Sequence, residues 1–200
     1  KEVALKASAF FCDELLKNGI TTAAVFCTTH PESVDAFFEE STKRNLRMVA
    51  GKVLMDRNAP KVICDTPKTG HTQSQALINK WHKKGRNLYA VTPRFAPTSS
   101  PEQLELAGDL YKSAEDIYVQ SHVSENIDEI AWVHQLFPDA ESYMDVYSRF
   151  GLLGPRTLYG HGIHFSDSEI KLAAETGAGI VHCPTSNLFI GSGLFDYAKL

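Results

Sequence analysis

The residues able to do chemistry stand at the ends of strand-like runs. Ile117-Tyr118-Val119-Gln120-Ser121 is a β-branched and aromatic run that ends on His122, and Glu125 follows three residues later. An imidazole at a strand tip can bind a metal, and a carboxylate in the next turn can move protons for water held there. The plain structural alternative is a solvated strand-end His with a Glu favoured beside a helix N-terminus, and this stretch alone leaves both open. Gly160-His161-Gly162 repeats the arrangement at a later strand, where flanking glycines let the backbone approach a ligand closely. His161 and His164 form an H-x-x-H pair. The glycine-rich setting favours His161 as the strand-tip residue, with His164 turned outward. His182 precedes a Cys-Pro-Thr turn that can anchor it, which predicts a structural or supporting role. Thr92-Pro93-Arg94-Phe95 leaves another strand. Its guanidinium fork suits carbonyl or ring-nitrogen acceptors, and Phe95 offers an apolar wall for a flat ligand; a salt bridge from Arg94 to a loop carboxylate is the alternative. His30, before Pro31, reads as a helix cap, and His82 as a solvated helix end.

Helix–strand pairs repeat six times, with strands starting near residues 22, 47, 88, 117, 157 and 179. Such alternation predicts a parallel sheet, either doubly wound or closed as a (β/α)8 TIM barrel. Polar residues recur at successive strand ends (Arg94, His122, His161, His182), which favours the barrel, where strand C-termini share one functional face. No GxGxxG or GxxxxGK[ST] occurs to mark a nucleotide-binding switch point. Residues 57–72 read as a long loop and 73–84 as the following helix. Long loops in compact α/β units tend to be lids or binding segments. Ser100-Pro101-Glu102-Gln103 and Ser166-Asp167-Ser168-Glu169 have the capping-box pattern, and Asn126 with Glu129 resembles one.

The composition, 43% hydrophobic and 22% charged with a net charge of -4, is that of a core-forming protein without a basic stripe. Nucleic-acid binding is not expected, and no long apolar run suggests a membrane span. Four scattered cysteines form no C-x-x-C pair, so the expected compartment is the reducing cytoplasm. The chain opens without Met inside a helical pattern, so residues 1–200 are expected to be the interior part of one barrel domain.

His122-Val-Ser-Glu125-Asn, Gly160-His161-Gly, His182-Cys-Pro-Thr-Ser-Asn187 and Thr92-Pro-Arg94-Phe95 together resemble the guanine deaminases, a family of the amidohydrolase superfamily of metal-dependent hydrolases. The resemblance runs in order through nearly the whole chain, and the Thr-Pro-Arg-Phe element is the part that points to guanine. It implies a (β/α)8 barrel, of which about six β/α units are present. It implies His122 and His161 as zinc ligands, Glu125 as proton shuttle, and Arg94 and Phe95 as the purine clamp, with His122 and Glu125 also facing the substrate. One zinc ion per subunit is implied, with Fe2+ as the other metal, together with a homodimer and the conversion of guanine to xanthine and ammonia. Zinc suits this chemistry because it makes water acidic enough to serve as a nucleophile at neutral pH. The family's site also uses a His-x-His on the first barrel strand and an Asp on the last. No His-x-His occurs here, so the expectation is that the first and last strands and the terminal β domain lie outside these residues. Two other readings remain at this level: an amidohydrolase acting on another amine- or halogen-bearing heterocycle, and a non-catalytic barrel relative.

Overall fold

A computed structural model of the chain describes residues 1–199. The elements run α1 (Glu2–Lys17), β1 (Thr22–Phe26), α2 (Pro31–Lys43), β2 (Arg47–Gly51), β3 (Val53–Leu54), α3 (Pro67–Trp81), β4 (Leu88–Pro93), α4 (Pro101–Lys112), β5 (Tyr118–Val123), α5 (Ile127–Leu136), α6 (Tyr143–Arg149), β6 (Thr157–His161), α7 (Asp167–Thr176), β7 (Gly179–Val181) and α8 (Pro184–Phe189). Each pairing is parallel, and neighbours follow chain order, β1-β2-β4-β5-β6-β7, with β3 continuing the line of β2 beside β4. A doubly wound sheet reverses its order at a switch point. This one never reverses, so it is the singly wound, partial barrel that the six repeats predict, and its strand C-termini gather on one rim.

The helices cover the outside of the sheet because their apolar faces match it. Val34, Phe37 and Phe38 of α2 and Leu77, Ile78 and Trp81 of α3 are buried together, with the Phe38 and Trp81 rings 5.8 Å apart. The indole N–H of Trp81 donates to Asp35 Oδ1 at 2.7 Å, so the ring is buried without stranding its one polar atom. Tyr143, Tyr147 and Tyr159 fill the space between α6 and the sheet. Among the described residues no helix is long and apolar enough to cross a membrane.

The line from β2 to β3 breaks at Lys52, just after Gly51. A Cβ at Gly51 would lie 1.7 Å from the carbonyl oxygen of Ala90, so only glycine lets the strands approach. Gly51→Ala is therefore expected to destabilise by at least about 1–3 kcal/mol, the usual cost of overpacking. A urea midpoint equal to that of the parent would refute this close approach.

The segment after β3 differs from the sequence expectation. Helix α3 begins at Pro67, not near residue 73, because Thr66 and Thr69 form a reciprocal capping box with Pro at the first turn. The segment between β3 and α3 is also tied down. Asp65 N–H donates to Met55 O at 2.7 Å, Ser100 N–H donates to Asp56 Oδ1 at 2.7 Å, and Asn58 Nδ2 donates to Pro97 O at 2.7 Å. Hydrogen bonds hold it at both ends, while Lys61 and Val62 between them stay exposed. Of the expected capping boxes, Ser166 with Glu169 is complete. Ser100 accepts from Gln103 N–H, but the buried Gln103 amide gives nothing back. Glu129 instead accepts the Tyr143 hydroxyl at 2.7 Å.

Candidate active site

Strand β5 presents His122 through simple alternation. Tyr118, Gln120 and His122 share the barrel side, where the Gln120 amide donates to Val25 O at 2.9 Å and to Thr92 Oγ1 at 3.1 Å. The His122 ring lies 4.7 Å from the ring of Phe26 on β1. Its Nδ1 is 2.6 Å from the carbonyl oxygen of Arg94. A carbonyl only accepts, so Nδ1 carries the proton and Nε2 keeps a free lone pair. Burial lowers the His122 pKa and favours this neutral ring; the carbonyl contact opposes burial, and the nearby His161 adds to it.

His161 reaches the same place by a different route. In the parallel register it pairs with Val123, on the helix side of the sheet. Its φ of +77° is left-handed, which breaks the alternation at the strand tip. The ring ends stacked on His122, with centroids 5.4 Å apart and planes inclined by 25°. Only 4% of His161 is exposed. Its Nδ1 meets Asn187 Oδ1 at 2.7 Å, which again directs the proton to Nδ1 and leaves Nε2 pointing at Glu125 Oε2, 3.3 Å away.

Glu125 follows Ser124, itself at φ +47°. Its other oxygen, Oε1, accepts from Ser192 Oγ at 3.3 Å. The segment after β7 thus braces both groups. Asn187 holds the imidazole, Ser192 holds the carboxylate, and Ser192 N–H donates to Asn187 O at 2.9 Å. His164 donates from Nε2 to Ser192 O at 2.9 Å, so it fastens the brace and does not join the His122–His161 pair. Tyr147, fully buried, donates to His122 O at 2.7 Å and accepts from Ala96 N–H at 3.0 Å, locking the β5 tip to the turn after β4.

That turn carries Arg94 and Phe95. The Arg94 guanidinium lies 4.8 Å over the Phe95 ring, and Phe95 meets Trp132 edge-on at 6.3 Å. Arg94 and His122 line a cleft of about 540 Å³ together with Phe26, Met55 and Ile63. His30 is the N-cap residue of α2, as its position before Pro31 suggests, and also faces this cleft. His182 packs against Phe195 and Tyr197, with the tyrosine hydroxyl on its Nδ1. His82 bridges Glu115 O and Tyr89 N–H, so it is a structural link where sequence suggested a solvated end.

Of the residues singled out from sequence, His122, Glu125 and His161 come together, and Arg94 and Phe95 stand on the adjoining rim. Asn187, Ser192 and Tyr147 were not assigned roles from sequence. Asn187 lies in the quoted Pro-Thr-Ser-Asn run, but nothing in its spacing says that its amide faces His161.

The donor chemistry fits a metal ion. Two imidazoles present Nε2 lone pairs while Nδ1 is occupied by an acceptor, the arrangement that orients histidine ligands. A lone pair on His161 Nε2 and a carboxylate oxygen 3.3 Å away also need a proton or a cation between or beside them. Among the described residues no group of three or more His, Cys, Asp or Glu side chains has metal-binding geometry.

A singly wound parallel barrel with imidazoles and a carboxylate on its C-terminal rim is the architecture of barrel hydrolases. The chain belongs to the amidohydrolase family, whose model matches residues 1–200. It is 52% identical to the guanine deaminase of Escherichia coli K12 over 99% of this chain and 45% of that protein. The solved structure of E. coli guanine deaminase superposes with a TM-score of 0.98, covering 99% of this chain and 46% of that one. A guanine deaminase from C. acetobutylicum, crystallised with guanine bound in its active site, is 38% identical with a TM-score of 0.93, over 97% of this chain and 46% of that one. The chain spans about half the length of the curated relatives it matches.

Proposed function

We propose that this protein hydrolyses guanine to xanthine and ammonia, with a bound zinc ion. The observation that carries the reading is the His161–Glu125 contact, 3.3 Å, beside a rim formed by Arg94 and Phe95. The names of the relatives support the choice of guanine. His122 and His161 would hold the metal through Nε2. When bound, the metal supplies a water acidic enough to attack at neutral pH. Glu125 removes a proton from the attacking water and places it on the ring nitrogen next to the amine-bearing carbon. The water oxygen bonds to that carbon, the carbon–amine bond breaks, and Glu125 passes the second proton to the departing ammonia. Arg94 directs donors at ring acceptors and Phe95 covers one face of the ring. Four unpaired cysteines fit a cytoplasmic setting, and the homodimer rests on the family resemblance.

The test is guanine turnover by the full-length protein. Xanthine and ammonia should appear in equal amounts and disappear with chelator, and zinc should restore them better than Fe2+. Equal or faster turnover of a triazine or of adenine would displace guanine as the substrate.

The brace on His161 gives a further expectation. Asn187→Ala should weaken metal affinity ~10–100-fold, as loss of a group orienting a histidine ligand does. Metal content after dialysis against graded chelator measures it, and unchanged retention would remove Asn187 from this role.

A further inference from the structure

Lys52 is completely buried, yet no step above uses it. It sits where the strand breaks between β2 and β3, and its backbone N–H donates to the Tyr89 hydroxyl at 3.3 Å. Its Nζ pairs with Asp65 and lies 3.5 Å from Val53 O. Asp65 is the last residue before the Thr66 cap of α3, and its N–H closes the segment on Met55 O. Gly70 on α3 packs at the same point: an added Cβ would stand 3.0 Å from Leu54 Cδ2 and 3.5 Å from Asp65 Oδ2. One ion pair, its lysine buried and its aspartate half-buried, therefore joins the sheet to the far end of the segment 55–66. That segment contributes Met55 and Ile63 to the cleft that Arg94 and His122 share.

We infer that Lys52 and Asp65 form a latch that sets the position of segment 55–66, and through it the fit of the cleft to a planar ring. The pair is a positioning device. It touches neither the imidazoles nor Glu125, so it governs how well the ring is held and not the proton transfers. A buried lysine suits the task. Its charge is tolerated only against a carboxylate, so one arrangement of the segment is strongly preferred over any that pulls Asp65 away. An apolar pair of equal volume would pack but would leave the segment free to settle elsewhere.

The kinetic arm rests on the guanine reading, so a second arm is independent of substrate. In the full-length protein, Lys52→Met should raise KM for guanine ~10-fold while kcat stays within ~3-fold, the signature of lost binding that is uniform between ground and transition states. Amide hydrogen exchange should rise in residues 57–66 and not in β5 or β6. The double variant Lys52→Met/Asp65→Leu removes both charges, is expected to fold, and should show the same two changes; it carries the decision if Lys52→Met alone does not fold. Unchanged exchange in residues 57–66 of the double variant would overturn the latch. Faster exchange there with unchanged KM would overturn its link to the cleft. If the parent protein does not turn over guanine, the functional reading falls, and the exchange arm still decides whether the latch exists.

Discussion

Glu125→Gln is expected to lower kcat by ~10²–10⁴-fold, the usual contribution of a general acid–base group, while leaving fold and metal content in place. The amide has nearly the size and shape of the carboxylate, so the Ser192 hydroxyl, now 3.3 Å from Oε1, keeps an acceptor. What is lost is an oxygen that can take and return a proton. The contact with His161 Nε2 changes from a carboxylate to an amide, and that imidazole remains held through Nδ1 by Asn187. Metal retention is therefore expected to survive, and KM for guanine to change less than kcat. Turnover within twofold of the parent would exclude Glu125 as the shuttle; loss of metal would make it a ligand instead.

Arg94→Lys is expected to reduce kcat/KM for guanine ~10–100-fold without loss of metal, because a compact ammonium cannot reproduce a planar donor fork stacked on an aromatic ring. The geometry separates two functions of this residue. Its carbonyl oxygen orients His122 at 2.6 Å, whereas its guanidinium stands over Phe95 on the rim. A side-chain substitution spares the carbonyl, so the imidazole keeps its orientation and metal content is expected to be unchanged. Steady-state kinetics and metal analysis on the same preparation distinguish the outcomes. Full activity would place Arg94 outside the purine clamp, and metal loss would show that its side chain supports the turn after β4.

The sequence by itself determined the period of the fold. Helix and strand patterns alternate because apolar residues recur at helical and strand spacing, and such alternation predicts a parallel sheet with helices outside. It also determined which residues stand at strand ends, since His122, His161 and Arg94 follow directly from where the apolar runs stop. His122 faces the barrel through plain alternation, a local property. The tertiary structure decided what the local pattern could not express. Alternation puts His161 on the helix side of β6, and its left-handed backbone turns the ring onto His122. Asn187, Ser192 and Tyr147 support the site from distant points in the chain, and contacts at that separation leave no period in the sequence. Residues 57–72 read as a long loop from their Pro, Asp and Thr content, yet Thr66 caps a helix there. The remaining turn is fixed by partners near residues 96–100 and by the buried Lys52, a residue whose charge would otherwise suggest solvent.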